Sequence, residues 1–359
     1  MGIGEIEKAI QVLHRALADQ LRAHSEVKGL AQLYEVLGDI LHPPAANDDD
    51  AEAVDPHESV KSAPRPQTPQ IKSSRKAKIS LMPGLFPQPG GKRCSARELL
   101  GRIGQLGPEE VFVEPFLGGG VVALNMLRWG LASRVRLNDA DAAVAAYWTA
   151  VIRQPEALAY RIHGWECSFE AACQAMKALR AGTLEGVDLA LAHLISRRTT
   201  FRALGRAAGS PCKKNLDIKW KPDCDVDNLW EAHRVLKGQV VGDRCTSSHA
   251  IDVLSEGGRK FAFLDPPYVE QGPDMYRDRF SVHEHKRLAQ ALHQADYPWL
   301  ACYDDALLIR KLYDGSVLDR VAVSHTSTAV KGGKGKTRRP ELRISHRVTS
   351  SSSIERLAA

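Results

Sequence analysis

The chain has 359 residues, enough for two or three domains, and the composition of an ordinary soluble protein. It holds no apolar run of membrane-spanning length and no secretory signal before the first predicted helix, and its seven cysteines form no Cys-x-x-Cys pair. We therefore expect a cytoplasmic protein with no membrane partner, disulfide framework or metal site. The net charge is +6, but residues 1–60 hold twelve acids against four bases, which leaves +14 on the remainder and favours a polyanionic partner.

The first eighty residues divide into a helical unit and a linker. Apolar residues three and four positions apart predict helices over residues 3–41, with Ser25 as an N-cap between two stretches. We place an N-terminal helical unit at residues 1–41, whose apolar stripe could pack internally, form a homodimer or dock on the body. Residues 42–80 lose this periodicity and are rich in proline and charge, which predicts a flexible linker.

Two glycine-rich turns come next. The first, Gln88-Pro-Gly-Gly-Lys92, lets the backbone approach a ligand closely and offers a lysine to a carboxylate. The second, Pro115-Phe-Leu-Gly-Gly-Gly120, follows a predicted strand that ends at Glu114 and precedes a helix predicted over residues 121–129. This strand, loop and helix bring backbone N–H groups near a nucleotide-like ligand, although the loop is not Gly-x-Gly-x-x-Gly and so lacks the dinucleotide fingerprint.

The next predicted strand, residues 134–137, ends in Asn138 and Asp139. An acid about twenty residues beyond such a glycine loop can accept hydrogen bonds from both ribose hydroxyls of a nucleotide-like ligand. A generic strand–helix–strand unit without a ligand is the alternative.

Residues 141–195 are predicted to be helical, and the segment after them is basic. Residues 196–221 hold eight bases against one acid, with Phe201 and Trp220 among them. This density predicts a nucleic-acid contact surface, against the alternative of a solvated charged face. A short helix over residues 228–237 and a strand over residues 239–241 follow.

The sequence Phe261-Ala-Phe-Leu-Asp-Pro-Pro-Tyr268 is the most informative stretch of the chain. An apolar run that two prolines stop is typical of a buried parallel strand, with Asp265 at its carboxyl end, where such sheets bind ligands. The Asp265 carboxylate and the Pro266 carbonyl can accept hydrogen bonds from an amino group, and Tyr268 offers a ring for stacking. Pro266 and Pro267 keep the loop rigid. An ordinary strand and turn is the alternative.

The last part of the chain is predicted as two helices, a strand and a hairpin. The helices cover residues 281–296 and 306–313, with a strand over 299–305 between them. The hairpin pairs residues 317–325 with residues 341–345. Residues 331–343 hold six bases against one acid, which makes a second candidate DNA-facing loop.

Taken together, Gly-Gly-Lys, Glu-Pro-Phe-Leu-Gly-Gly-Gly, Asn-Asp, a basic insert, Asp-Pro-Pro-Tyr and Tyr-Asp-Asp resemble the Dam-like (D12 class) N6-adenine-specific DNA methyltransferases. The resemblance covers residues 84–346. It implies an α/β, Rossmann-like, S-adenosylmethionine-dependent sheet of seven strands with an inserted helical and loop target-recognition domain, here with an N-terminal helical extension. Arg202 stands where the family has Asn after Phe, and a clear Asp-Phe after residues 239–241 is missing.

The resemblance also implies domains and site residues. The cofactor-binding half is placed at residues 81–150, the target-recognition insert at 151–238, the catalytic half at 239–347 and a C-terminal tail at 348–359. The implied catalytic residues are Asp265, Pro266, Pro267 and Tyr268. The implied S-adenosylmethionine-binding residues are Gln88, Gly90, Gly91, Lys92, Glu114, Pro115, Phe116, Gly118, Gly119, Gly120, Asn138, Asp139 and Asp265. The implied contacts to double-stranded DNA are Arg197, Arg198, Arg202, Arg206, Lys213, Lys214, Lys334 and Lys336.

These residues predict methyl transfer to the exocyclic amine of a flipped adenine in duplex DNA. An RNA or other amino-group methyltransferase and a catalytically silent DNA-binding relative are the alternatives. A nicotinamide-dependent oxidoreductase is disfavoured by the missing dinucleotide fingerprint.

Overall fold

The structure is a computed structural model that describes residues 80–106, 111–203, 209–269, 280–324 and 338–345. These residues form an α/β fold around one mixed sheet, so the predicted α/β class is confirmed. The described part of the sheet has six strands in the order β2-β1-β3-β4-β6-β5. Their bounds are Val111–Glu114 (β1), Arg134–Leu137 (β2), Lys260–Leu264 (β3), Trp299–Asp304 (β4), Val317–Ser324 (β5) and Arg338–Ser345 (β6).

Strand direction places the predicted site residues together. Strands β1, β2, β3 and β4 are parallel, whereas β6 runs antiparallel between β4 and β5. The carboxyl ends of β1, β2 and β3 therefore share one edge of the sheet. Glu114, Asn138 and Asp265 stand at those ends, and Asp139 is the next residue after Asn138.

Alternate residues of the strands pack into two hydrophobic cores, one on each face of the sheet. Phe261, Phe263 and Cys302 belong to the larger core, whereas Leu264 and Tyr303 belong to the smaller one. This alternation follows from the two-residue period of a strand, and it requires helices on both faces.

Most described helices fall in segments that the sequence predicts to be helical, but no helix was predicted over residues 216–219 or 250–255. Before β3 they are Ala96–Leu106 (α1), Val121–Arg128 (α2), Ala142–Arg153 (α3), Pro155–Gly164 (α4), Phe169–Ala181 (α5), Gly186–Thr199 (α6), Leu216–Lys219 (α7), Pro222–Leu236 (α8) and Ala250–Ser255 (α9). After β3 they are Val282–His293 (α10) and Leu307–Leu312 (α11). No helix in this described part of the chain is long and apolar enough to cross a membrane.

The helices between β2 and β3 pack with the sheet rather than apart from it. Leu158 of α4, Leu194 of α6 and Leu229 of α8 share the larger hydrophobic core with Phe112 of β1. The boundaries of the inserted domain at residues 151 and 238 therefore stay predictions.

The prediction of a strand over residues 239–241 is wrong. Val240 makes an isolated parallel bridge to Val135, and a 3-10 turn begins at Val241. Gly238 and Gly242 have φ of 73° and 76°, and Asp243 has φ of 53°. Left-handed residues on both sides interrupt the extended backbone, so the sheet has six described strands where the resemblance implies seven.

Several predictions fall outside the described residues. They are the helical unit at 1–41 and its homodimer, all of the linker except Ser80, the tail, and the DNA contacts of Arg206, Lys334 and Lys336. The side chain of Arg202 also belongs to this group.

Candidate active site

A cleft of about 490 Å³ opens at the carboxyl ends of β1, β2 and β3. This volume lies within the range of roughly 300–1,000 Å³ that is usual for small-molecule and cofactor sites. Most predicted cofactor residues line it together: Gln88, Gly90, Gly91, Lys92, Glu114, Phe116, Gly118, Gly119, Gly120, Asp139 and Asp265. Pro267 lines it too, whereas Pro266 is buried beside it.

The glycine loop between β1 and α2 is held in a conformation that glycine alone adopts easily. Gly118 and Gly120 have φ of 48° and 67°. A Cβ atom on Gly120 would lie 2.3 Å from the ring of Trp148. The indole of Trp148 is fixed, because its Nε1 donates a 2.9 Å hydrogen bond to the Gly118 carbonyl. The loop therefore presents bare backbone to the cleft.

Asp139 is tied to the same loop. Its Oδ2 accepts a 2.8 Å hydrogen bond from the Gly118 N–H, and its Oδ1 accepts a 3.0 Å bond from the Asp141 N–H. Burial raises the pKa of Asp139 to about 6, although both N–H donors act in the opposite direction. The carboxylate thus organises the loop and stands at the cleft, where it can accept further hydrogen bonds.

Gln88 packs its side-chain amide against Gly118. A Cβ on Gly118 would meet the amide nitrogen of Gln88 at 2.6 Å. The Oε1 of Gln88 is buried and has no hydrogen-bond partner within the described ranges. A buried acceptor without a donor is costly, so this oxygen fits a ligand that supplies an N–H or O–H group.

Asp265 forms an ion pair with Lys92 that sequence spacing could not predict. Lys92 Nζ lies 2.6 Å from Asp265 Oδ1, and it also donates to the Gly90 carbonyl at 2.9 Å and to the Tyr268 hydroxyl at 3.1 Å. Lys92 is 6% exposed. Burial lowers the pKa of Lys92, but the carboxylates of Asp265 and Glu341 outweigh it and hold the pKa above its usual value. Lys92 is therefore a fixed cation at the Asp265 carboxylate.

Tyr268 does not lie where a stacking platform is predicted. Its side chain is 9% exposed, packs in the smaller hydrophobic core near Tyr303, and is absent from the lining of the cleft. Its hydroxyl accepts the hydrogen bond from Lys92. Tyr268 is therefore a partner of Lys92 in this structure, and a stacking role for it stays a prediction.

Glu114 is a second buried carboxyl group of the cleft. Its Oε2 accepts a 2.9 Å hydrogen bond from the Ala123 N–H in the first turn of α2. Burial raises its pKa well above the usual range, and the charges of Asp265 and Asp139 raise it further. A protonated Glu114 can donate a hydrogen bond into the cleft as well as fix the loop.

Asn138 and Pro115 do not line the cleft as predicted. Asn138 Nδ2 donates to the carbonyls of Pro115 and Ser248, while its Oδ1 accepts from the Thr246 hydroxyl and the Ser248 N–H. These four bonds use both donors of the amide and both lone pairs of its oxygen. Asn138 is therefore a structural clamp between the β1 end and the segment before α9.

Arg197 and Arg198 are two of the predicted DNA contacts, and that role stays a prediction. Both line the cleft, and Arg197 is buried, with its Nη1 donating a 2.9 Å bond to the Ala203 carbonyl. Arg198 forms an ion pair with the buried carboxylate of Asp225. Arg197 also lowers the pKa of Asp139. Arg197 is buried and Arg198 is half-buried, and both guanidinium groups belong to the wall of the cleft.

Lys213 and Lys214 match the prediction of a basic surface better. Both are exposed in the segment before α7, and Lys213 Nζ lies 5.7 Å from the ring centroid of Phe169. Phe201, in the 3-10 turn that follows α6, is 63% exposed. This part of the insert is open to a partner.

Sequence reasoning missed several residues of the cleft wall. Phe280, His249 and Glu284 line the cleft, and the Phe280 ring packs edge-on against Phe116 at 5.7 Å. The capping box of Ser281 and Glu284 at the start of α10 was a usable signal for where this wall begins. Nothing in the local pattern showed that Phe280 would face the cleft.

The fold is consistent with that of a methyltransferase. A glycine loop and an acid lie at the carboxyl ends of parallel strands, and the same sheet has an antiparallel strand between β4 and β5. The family model for D12 class N6 adenine-specific DNA methyltransferases matches residues 89–171. The match contains the glycine loop and Asp139, and it confirms the resemblance that the motifs indicated. No curated protein matches the chain closely enough to count as similar.

Proposed function

We propose that the protein is a site-specific, S-adenosylmethionine-dependent methyltransferase that acts on the N6 amine of adenine in duplex DNA. The observation that carries this proposal is the common cleft of Asp139 and Asp265, with the glycine loop between them. The Asp139 carboxylate suits a ribose, and the Asp265 carboxylate suits an amino group. The methyl donor and the amine that accepts the methyl group can therefore meet at the same edge of the sheet.

The residues of the cleft fit S-adenosylmethionine. The bare backbone of Gly118–Gly120 admits close approach, the Asp139 carboxylate suits the ribose hydroxyls, and the buried Oε1 of Gln88 lacks a donor among the described residues. When bound, S-adenosylmethionine supplies an electrophilic methyl group on a positive sulfur. The carboxylates of Asp139 and Asp265 at the cleft wall suit that positive charge.

Asp265 orients the amine that receives the methyl group. Its carboxylate and the Pro266 carbonyl accept the two N–H bonds of the adenine amine, which turns the nitrogen lone pair toward the methyl group. Lys92 holds Oδ1 of Asp265 at 2.6 Å and thereby fixes the direction of the carboxylate. Catalysis then comes from positioning and preorganised electrostatics, with no covalent enzyme intermediate.

The adenine must leave the base stack to reach Asp265. With Tyr268 buried, Phe116 and Phe280 offer partly exposed aromatic rings in the lining of the cleft that contains Asp265. Base–aromatic stacking of about 1–3 kcal/mol per base would compensate part of the cost of flipping.

Duplex DNA is the proposed partner, and the exposed lysines of the insert supply a test. Replacing Lys213 and Lys214 by alanine should weaken DNA binding and reduce the slope of log affinity against log salt concentration by about two units, because each lysine displaces about one counterion. Fluorescence anisotropy over a salt series measures the slope. Arg134→Ala with Lys237→Ala is the matched control, since both are exposed near the amino end of β2, away from the carboxyl ends of the strands that form the cleft. An unaltered slope for the lysine pair would show that these lysines do not contact DNA.

Cofactor binding should depend on Asp139. Asp139→Ala removes the acceptor for the ribose and for the Gly118 N–H, so S-adenosylmethionine affinity should fall by about 1–3 kcal/mol. Asp139→Asn keeps one acceptor oxygen and should lose less. Because the pKa of Asp139 is raised to about 6, wild-type affinity should decrease as the pH falls through 6, and this decrease should vanish in Asp139→Asn. Calorimetry measures both, and unchanged affinity in Asp139→Ala would remove Asp139 from the cofactor site.

The whole proposal is tested by incubating the purified protein with labelled S-adenosylmethionine and either duplex DNA or RNA. The expected product is N6-methyladenine in DNA at a restricted set of sites. Methylation of RNA alone would favour an RNA methyltransferase, and cofactor and DNA binding without transfer would favour a silent relative.

A further inference from the structure

A row of charged and polar side chains crosses the sheet from the active site to its far edge. Leu264 of β3 is in register with Ala301 of β4, which puts Asp265 beside Cys302. Cys302 in turn is paired with Arg343 of β6. Because partners across a sheet point to the same face, Asp265, Cys302 and Arg343 lie side by side on the face that α1 covers.

Arg343 and Glu341 are both buried on this face of the sheet. Each is 1% exposed. Arg343 Nη1 donates to Glu341 Oε2 at 2.7 Å, and Arg343 Nε donates to Glu98 Oε2 of α1 at 3.2 Å. Beyond Glu98 the contacts reach the surface, where Arg102 bridges Glu98 and Asp319.

We propose that Arg343 is a positioning residue for methyl transfer, which neutralises the buried Glu341 carboxylate and thereby helps Lys92 to keep Asp265 an ionised acceptor. This inference rests on the proposed role of Asp265. The set is Lys92 with Asp265 at the cleft and Arg343 with Glu341 in β6, two cations and two anions, of which the Asp265 side chain is 20% exposed and the others are buried.

The balance matters because buried charges are poorly screened. Burial is the largest influence on Asp265 and raises its pKa; Lys92 and Arg343 lower it, and Glu341 raises it. Burial raises the pKa of Cys302 to about 12 and that of Tyr268 well above its usual value, so both remain neutral beside the set. Among the residues that the structure describes, further ionisable groups around the set are Glu114 of β1, Glu98 of α1, Tyr303 of β4 and Asp304 of β4. Asp304 is in register with Glu341, and its Oδ1 accepts a hydrogen bond from the Val269 N–H.

Removing the cation and removing the anion should shift the pKa of Asp265 in opposite directions. Arg343→Met removes a buried cation and should raise the pKa of Asp265, because the charge of Glu341 is then left without its partner. Glu341→Gln removes a buried anion and should lower it. The double variant keeps only the Lys92–Asp265 pair, so the pKa of Asp265 should return close to its wild-type value.

The direct measurement is the titration of the Asp265 carboxyl carbon by NMR in free protein labelled with ¹³C-aspartate, assigned by its loss in Asp265→Asn. Arg102→Met is the matched control, because Arg102 belongs to the same network at its exposed end and should leave the titration unchanged. In duplex methylation, the acid limb of the rate against pH should shift in the same direction as the titration in each variant.

A titration of Asp265 that is the same in wild type, Arg343→Met and Glu341→Gln would overturn the proposal. If Arg343→Met does not fold, the downward shift in Glu341→Gln and its reversal in the double variant decide the question. A wild-type protein that transfers no methyl group to DNA would count against the proposed function, while the titration in free protein would still decide the charge balance.

Discussion

Replacing Asp265 by asparagine is expected to slow methyl transfer to adenine by about 10²–10³, the usual loss when one preorganised electrostatic group is removed from an active site. The amide keeps the shape of the side chain and one acceptor oxygen. It loses the negative charge that orients the amine and that pairs with Lys92 at 2.6 Å. Binding of duplex DNA should persist, because the carboxylate lies inside the cleft.

Asparagine is a better substitution here than alanine. Both substitutions remove the negative partner of the buried Lys92 ammonium, but the asparagine oxygen can still accept a hydrogen bond from it. Asp265→Ala leaves no acceptor at this position and risks more of the roughly 3–5 kcal/mol of stability that breaking a buried ion pair costs. Lost activity in Asp265→Ala would then mix unfolding with chemistry.

Single-turnover transfer of labelled methyl at saturating cofactor and DNA measures the rate of Asp265→Asn. Asp305→Asn is the matched control, since Asp305 follows the neighbouring parallel strand β4 but pairs with Arg310 and Arg320. Near-normal transfer by Asp265→Asn would end the proposed mechanism.

The positions of the site residues along the sheet could be predicted because they depend on local pattern. An apolar run that ends in a polar residue predicts a parallel strand with that residue at its carboxyl end, and parallel strands share that edge. Glu114, Asp139 and Asp265 meet in one cleft for this reason.

The directions of individual side chains could not be predicted, because they depend on partners distant in sequence. Tyr268 faces inward, with Lys92, 176 residues earlier, as its hydroxyl partner. Asn138 accepts a hydrogen bond from the N–H of Ser248, 110 residues later, and Arg198 forms an ion pair with Asp225. Each of these side chains satisfies a buried group that the local sequence does not reveal.

A steric prediction concerns the glycine loop. Gly120→Ala should lower the free energy of unfolding by about 2–5 kcal/mol, the sum of about 1–2 kcal/mol for a left-handed non-glycine residue and about 1–3 kcal/mol for overpacking. The overpacking is severe because the new Cβ would lie 2.3 Å from the Trp148 ring. Trp148 is buried and bonded to the Gly118 carbonyl, so it cannot yield without moving the loop.

Gly130→Ala separates strain from overpacking. Gly130 has nearly the same φ, 63° against 67° at Gly120, but no described heavy atom beyond its chain neighbours lies within 4 Å of the methyl group that alanine would add. It should therefore lose only about 1–2 kcal/mol, the cost of the left-handed backbone alone. Urea unfolding of the three proteins measures this difference, and calorimetry should show weakened S-adenosylmethionine binding in Gly120→Ala only. Equal destabilisation by both substitutions would mean that Trp148 does not enforce glycine in the loop, and that the loop shape arises from backbone preference alone.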